Sequence, residues 1–261
     1  MQREQVQLQG IEFPVTVREE GASVELLKLS EPNFDKKVEA WIVQNHFSSA
    51  GKWGLISQAT TRQEIVLLSL SFRKVLRTGY SISNGRLTKK QEETTEPEMG
   101  ELHFRRDGLI ELYSVSPKLR ILLLKPLREA LGDSVKQLLL SKESMLSLMK
   151  EATEVSSVSL GGMGNPFFSE MTLSGSDPAN SRTFKEMLSA GTIKAFRGRF
   201  PIDQGHDVSG EAGRIGSILV TVQSNCKVRF FASGRNPLLQ ASVEDFLTKV
   251  SEFASNDAEE S

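Results

Sequence analysis

Basic and aromatic side chains alternate near the C-terminal end of the sequence. In the segment Lys227–Phe231, the two-residue period of a strand places Lys227, Arg229 and Phe231 on one side. Lysine and arginine neutralise phosphates, and an aromatic ring between them can stack on a base. The pattern therefore predicts a sheet face that binds nucleic acid, either DNA or RNA.

The preceding basic segment extends this prediction. In a strand predicted over Thr192–Phe200, alternation puts Lys194 and Phe196 on one face and Arg197 and Arg199 on the opposite one. Residues 194–235 contain seven basic residues against three acidic ones, a local balance of +4, whereas the whole chain carries −1. The predicted nucleic-acid-binding residues are Lys194, Phe196, Lys227, Arg229 and Phe231, with Arg214 and Arg235 at the rim.

One loop contains a histidine among carboxylates. Within residues 201–213, Asp203, His206, Asp207 and Glu211 offer nitrogen and oxygen ligands for a divalent ion, or an acid–base pair. This loop supports one alternative function, a metal- or nucleotide-dependent enzyme. No second histidine lies nearby, and we therefore predict a non-enzymatic protein without catalytic residues, metal or cofactor.

Other motifs of catalysis are missing from the sequence. The glycine-rich stretch Gly161–Asn165 leads through Pro166 towards a strand, whereas a phosphate-binding loop needs a helix N-terminus directly after its glycines. His46 and His103 stand alone in the sequence and are predicted to be structural. The single cysteine, Cys226, is predicted to be a small buried side chain.

The elements that position these residues predict an α+β fold with antiparallel sheets covered by amphipathic helices. Strands over Ile215–Gln223 and Lys227–Ser233 flank a tight turn at Ser224-Asn225, and a helix with apolar residues on one face follows. A hairpin at Asp107-Gly108 followed by helical sequence over Leu127–Glu151 closes the first half in a similar way. The repeated order suggests two related halves.

The same pattern gives the expected domain boundaries. We predict an N-terminal unit of residues 1–151, a C-terminal unit of residues 155–254 and an acidic tail of residues 255–261 that frays. Within these units we expect a helix over Asn33–His46, an exposed loop over Lys89–Glu101, a strand over Lys118–Leu124 and a helix over Arg182–Ala190.

Composition bounds the location and the partners. A single cysteine fits a reducing compartment, and no apolar stretch is long enough for a signal peptide or a membrane span. We therefore expect a cytoplasmic protein without membrane contact. Near-zero net charge, apolar hairpins and many glutamates also fit the first alternative to nucleic-acid binding, ahead of the enzyme: a protein-interaction or assembly subunit that binds a protein partner or itself and does not contact nucleic acid.

Overall fold

The computed structural model describes residues 17–18, 22–30, 34–46, 53–60, 64–83, 86–113, 117–162, 169–202, 216–231 and 238–259. In these ranges the strands are β1 Val17–Arg18, β2 Ser23–Leu29, β3 Trp53–Thr60, β4 Glu64–Ser83, β5 Arg86–Arg105, β6 Leu109–Tyr113, β7 Val135–Gln137, β8 Glu154–Gly161, β9 Glu170–Ser174, β10 Thr192–Ile202, β11 Gly216–Gln223, β12 Lys227–Phe231 and β13 Leu238–Leu239. The helices are α1 Phe34–Gln44, α2 Pro117–Leu131, α3 Lys142–Glu151, α4 Arg182–Ala190 and α5 Gln240–Glu259.

One antiparallel sheet contains most of these strands. Its order is β3-β4-β5-β6-β2-β12-β11-β10-β8-β9, and β7 pairs with β2 on the same edge as β12. Strands β1 and β13 form a separate pair. The predicted α+β class, with an antiparallel sheet covered by helices, is confirmed.

The helices cover opposite faces of the two ends of this sheet. We call the face under α1 and α2 the front, because Trp41 of α1 and Leu123 of α2 share a core with Leu27 of β2. The face under α3, α4 and α5 is the back, where Leu247 of α5 shares a core with Leu26. Since Leu26 and Leu27 are adjacent and both fully buried, β2 is the strand on which the two cores meet.

The chain passes from front to back directly after α2. A single 3₁₀ turn at Gly132–Ser134 leads into β7, and Val135 still packs in the front core. Leu138 and Leu140 already pack in the back core, and the Leu140 N–H donates to the Ser224 carbonyl at 2.8 Å. Ser141 then caps α3 by accepting from the Ser144 N–H.

Two predictions about local structure are wrong. The glutamate-rich segment Lys89–Glu101 is not a loop but part of the twenty-residue strand β5, because every residue of β4 finds a cross-strand partner in it. Lys118–Leu124 is not a strand but the beginning of α2. Leu119, Leu123 and Leu127 recur every four residues and are all fully buried, which is the spacing of one helix face.

The predicted helical stretch Leu127–Glu151 is wrong in its middle, where β7 and the segment after it separate α2 from α3, whereas the remaining predicted elements largely match. Helix α1, helix α4 with its Ser181 cap, and both hairpins are present. Gly108 has φ of 82°, and a Cβ there would lie 2.7 Å from the Leu29 carbonyl oxygen, so the turn requires glycine. The tail frays less than expected, since α5 continues to Glu259.

Candidate nucleic-acid interface

Strands β9, β8, β10, β11, β12 and β2 leave the front face of their end of the sheet without a helix in the described residues. Directly paired residues share a face, so the strand register defines a continuous row across the six strands. In order the row is Ser174, Ser157, Arg197, Thr221, Arg229 and Ser23. Two arginines thus lie on a floor of small hydroxyl side chains.

The neighbouring row supplies the aromatic ring. Arg199 pairs with Leu219, and Leu219 pairs with Phe231. The Arg197 guanidinium carbon lies 4.3 Å from the centre of the Phe231 ring, and that of Arg229 lies 5.1 Å from it. Both arginines are therefore held by cation–π contact with one ring. We call Arg197, Arg199, Lys227, Arg229 and Phe231 the basic face.

Most of the positive charge on this face is not neutralised inside the described part of the chain. Arg199 forms an ion pair with Glu154 at 3.6 Å, with both side chains about half exposed, so the pair contributes little stability. Arg197, Lys227 and Arg229 have no carboxylate within 4.0 Å among the described residues. Arg197 Nε is also buried without a hydrogen-bond partner there, which is uncommon for a strong donor.

Lys227 lies at the edge of the face beside a buried ion pair. Its cross-strand partner is Glu25, which is only 3% exposed. The Arg120 guanidinium of α2 donates to both oxygens of Glu25, with Nη2 at 2.6 Å from Oε1, so this carboxylate is already neutralised. Helix α2 thus borders the basic face and contributes a charge-compensating contact to its rim.

The structure corrects the prediction for Phe196. Its side chain is 1% exposed and packs in the back core next to Phe200, with ring centres 6.2 Å apart. The pairing of β10 with β8 shifts by one residue between Ile193 and Ala195, and this bulge places both Ile193 and Phe196 on the back. Phe196 therefore does not share an exposed face with Lys194 and cannot stack on a bound base.

Lys194 and the two arginines of β10 also lie differently from the expectation. Lys194 is exposed in the bulge, where its aliphatic chain lies against Gly161, and a Cβ on that glycine would come within 2.7 Å of Lys194 Cε. Arg197 and Arg199, which the alternation set apart from Lys227 and Arg229, lie on the same front face as these residues. The burial of Phe196 and Phe200 is the signal that locates Arg197 and Arg199, because these arginines alternate with the two aromatic residues along the strand and so lie on the opposite face.

Several predicted site residues lie outside the described residues. These are Arg214 and Arg235 of the predicted rim, the loop residues Asp203, His206, Asp207 and Glu211, and most of the glycine-rich stretch. Cys226 is described and is fully buried, as predicted, with φ of 54° at the end of the β11–β12 turn. Lys227, Arg229 and Phe231 lie together on the front face, as their alternation predicts.

A second polar cluster lies on the back of β5 and β6, under α5. Glu111 is 1% exposed and accepts hydrogen bonds from the Tyr113 hydroxyl at 2.8 Å and from Arg105 Nη1 at 3.4 Å. His103 Nδ1 lies 4.0 Å from Glu111, and Arg105 also donates to Thr248 of α5 at 2.8 Å. We call this group the seam cluster, because Arg105 connects the strands of the first half to the last helix.

Burial sets the protonation chemistry of the seam cluster. Desolvation raises the pKa of Glu111 above its ordinary value, although His103, Tyr113 and Arg105 each oppose the shift. The sequence did not reveal this cluster, because it depends on the strand register that pairs His103 with Glu111 and on a contact with Thr248, which is distant along the chain. In the described ranges no group of three or more histidine, cysteine or carboxylate side chains is arranged to hold a metal ion.

A cavity of about 390 Å³ lies between α3, the start of β8 and α4. Its polar lining includes Lys150, Asp177 and Asn180, and neither histidine nor cysteine contributes to it. Asn180 is hydrogen-bonded to Asp177 at 2.8 Å, and Glu154 at the cavity edge pairs with Arg199.

No protein-family model matches this chain, and no curated protein has a similar sequence. None of the helices in the described ranges is long and apolar enough to cross a membrane. We therefore infer function from the geometry of the described side chains.

Proposed function

We propose that this protein is a non-enzymatic binding protein that engages single-stranded nucleic acid on the basic face. The observation that carries the proposal is the row in which Arg197 and Arg229, without carboxylate partners in the described residues, flank Thr221 on an uncovered sheet. Guanidinium and hydroxyl groups are the side chains that contact phosphate and sugar most often. The row therefore offers donors at intervals along one direction.

Binding to a single strand is favoured over binding to a duplex. A sheet face exposes a flat surface on which unstacked bases can lie, whereas duplex grooves are entered by helices or protruding ribbons. Phe231 and the two guanidinium planes beside it offer stacking surfaces for bases, and stacking of this kind tolerates any base sequence. We therefore expect weak sequence preference and strong dependence on salt.

The test measures anisotropy of labelled single-stranded and duplex DNA and RNA with the full chain, at several salt concentrations. Replacing both arginines, Arg197→Gln with Arg229→Gln, removes two phosphate contacts while keeping polar side chains of similar length. We expect affinity for single strands to fall about tenfold or more at low salt, and the slope of log K against log salt to flatten by about 1.4.

The control removes two positive charges from the other side of the protein. Arg182→Gln with Lys185→Gln changes exposed residues of α4, which packs on the back core, and leaves the basic face intact. Affinity in this variant is expected to stay within about twofold of wild type, since only long-range charge is lost. Absence of binding at low salt, or equal losses in both double variants, would refute the proposal.

The relation between the two halves is also a proposal. Each half ends with a hairpin followed by a helix, β5–β6 with α2 and β11–β12 with α5. The early strand of the first half, β2, pairs with the last strand of its meander, whereas β8 of the second half pairs with the first strand, β10. Common ancestry would therefore require a rearranged strand order in one half.

A further inference from the structure

Strands β4 and β5 continue far beyond the body of the sheet as a two-stranded ribbon. Strand β3 pairs with β4 only up to Ser71, and β6 pairs with β5 only from Glu101 onwards, among the described residues. Residues 72–83 and 86–97, which we call the arm, pair only with each other. Twelve cross-strand pairs at about 3.4 Å per residue make the arm roughly 40 Å long.

The two faces of the arm differ in chemistry. Six of the nine exposed large hydrophobic side chains in the described residues lie on its back face or at the root of that face. They are Phe72, Leu76, Tyr80, Ile82, Leu87 and Met99, with exposed fractions of 40%, 66%, 66%, 77%, 70% and 52%. The front face instead carries Arg77, Glu92 and Glu96, and Arg77 Nε donates to Glu96 at 3.2 Å.

An arm with this composition needs a partner. An isolated two-stranded ribbon is marginally stable in water, and exposed apolar patches beyond a few hundred Å² mark interaction sites. At the exposed fractions above, the six side chains present roughly 600 Å² of surface, approaching the ~800 Å² that each partner contributes to a standard interface. The largest exposed side chains on this face are apolar, which favours a protein surface over a charged ligand.

The order of the rows along the apolar face is palindromic. Leu76 and Glu93 form the central row, and the rows on either side of it are polar, Lys74 with Thr95 and Thr78 with Gln91. An aromatic row follows on each side, then an aliphatic one. In order from root to tip, the exposed rows are Met99, Phe72 with Pro97, Lys74 with Thr95, Leu76 with Glu93, Thr78 with Gln91, Tyr80 with Lys89, and Ile82 with Leu87.

Such a palindrome is self-complementary under two-fold rotation. A two-fold interface requires the same patch on both subunits to match itself, and here an antiparallel copy sets aromatic row on aromatic row and aliphatic row on aliphatic row. We infer that the apolar face of the arm packs against the same face of a second copy of this chain, in an antiparallel two-fold arrangement centred on Leu76 and Glu93.

The charges on the apolar face fit this arrangement. Lys74 and Glu93 are ion-paired within one chain, so the centre of the interface contains two lysines and two glutamates. The two Glu93 carboxylates therefore meet with their own neutralising partners beside them. The charged front faces remain in water on the two outer sides of the stacked ribbons, and the chain's formal net charge of −1 gives little repulsion between copies.

Association is measured by sedimentation equilibrium and light scattering of the full chain over a range of concentrations. Wild type is expected to form a dimer. In Leu76→Glu with Ile82→Glu the dissociation constant should rise by about 100-fold or more, because each carboxylate would be buried without a partner. The matched control, Val43→Glu with Leu139→Glu, changes two exposed aliphatic residues outside the arm and should dimerise like wild type.

A cysteine placed on the two-fold axis tests the arrangement itself. Cys226 is fully buried, so Leu76→Cys introduces the reactive thiol of the chain. Because facing sheets lie about 10 Å apart, too far for a disulfide, a short bis-maleimide should cross-link Leu76→Cys into a covalent dimer and leave Val43→Cys monomeric. A dimer in which Leu76→Cys links only when mixed with Glu93→Cys would show parallel arms and overturn the antiparallel arrangement.

Two other outcomes would overturn the assignment of a second copy. A wild-type chain that stays monomeric at high micromolar concentration would refute it, and so would a dimer that both glutamate variants leave intact. If the wild type is monomeric and Leu76→Glu with Ile82→Glu abolishes oligonucleotide binding, the arm belongs to the nucleic-acid surface. Failure of the basic face in the earlier test has no bearing on these results, because the arm variants leave that face unchanged.

Discussion

In the described part of the chain, no helix covers the front of the end formed by β10, β11 and β12 or the back of the arm, and these two faces have opposite chemistry. On the end formed by β10, β11 and β12, the uncovered front carries arginines, lysine and hydroxyl groups. On the end formed by β4 and β5, the uncovered back carries large apolar side chains along the arm. A single sheet thus presents one basic surface, which we propose binds phosphate groups, and one apolar surface, which we propose binds a second copy of the chain.

The comparison shows why exposure alone says little about a surface. Both faces lie on antiparallel strands whose opposite side is buried near the body of the sheet, so the two faces have the same structural setting. They differ in their hydration. Water solvates guanidinium groups well, so their exposure costs little free energy, whereas exposed leucine and tyrosine side chains carry an unfavourable hydration free energy that burial against a partner removes. The first face is stable when empty, and the second gains stability when it is covered.

The largest expected effect tests whether the two ends belong to one folding unit. Leu26 and Leu27 are adjacent on β2, both fully buried, and belong to the back and front cores respectively. Replacing either by alanine should lower the unfolding free energy by about 2–5 kcal/mol. Because β2 pairs with both β6 and β12, we expect both variants to shift one common transition in urea, followed by circular dichroism and tryptophan fluorescence.

Two separate unfolding transitions would show that the two ends of the sheet fold independently. If Leu26→Ala moved only one of two resolved transitions and Leu27→Ala only the other, the halves would be independent domains, as the predicted boundary between residues 151 and 155 implies. The continuous pairing of β2 with β12 argues for one transition. The mutated residues differ only in the face they occupy, so each variant is the control for the other.

A smaller effect tests the seam cluster that joins the halves. Burial raises the pKa of Glu111 in the folded protein, so the unfolded chain releases the proton first as pH rises from about 4.5. Below that pH Glu111 is protonated in both the folded and the unfolded state, so its burial does not lower the unfolding free energy. Through the window up to the raised folded pKa, the unfolding free energy must fall with pH, and above the window the loss is complete.

Glu111→Gln should remove this loss. Gln keeps an acceptor for Tyr113 and Arg105 and cannot ionise, so the variant should gain stability relative to wild type as pH rises from 4.5 towards neutrality. Every tenfold difference between the folded and unfolded acid dissociation constants of Glu111 corresponds to about 1.4 kcal/mol of unfolding free energy. Urea titrations at several pH values measure the difference, and a constant gap between the two proteins would contradict the prediction. His46→Gln, which changes an exposed titratable group, serves as the control.

The sequence predicted the basic face in part, and the reason for the partial success is local. In β12 the alternation is unbroken, with Val228 and Phe230 buried and Lys227 and Arg229 outward, so a two-residue period suffices. In β10 one extra residue in the bulge after Ile193 inverts the faces. Composition does not indicate a bulge, and alternation alone therefore places Phe196 on the exposed face with Lys194 instead of in the back core.

Local sequence patterns do not predict the arm. The glutamates of residues 89–101 indicate a solvated loop when read alone, and their pairing with the basic residues of β4 becomes visible only once the register is known. Helix α2 was misread because the run Ile121–Leu124 is short and apolar, which fits a strand as well as a buried helix. In each case the deciding information is a contact between distant parts of the chain.

The smallest expected effect separates binding from folding on the basic face. Arg197→Met keeps the aliphatic stem and removes the guanidinium that lies over Phe231, so the loss should be limited to a cation–π contact, about 0.5–1 kcal/mol of unfolding free energy. Oligonucleotide affinity should fall several-fold in the same variant, because a phosphate contact is lost. A drop well above 1 kcal/mol would show that Arg197 serves the fold. Near-wild-type stability with weaker binding would instead show that the sheet tolerates an empty basic face, in contrast to an arm that needs its partner.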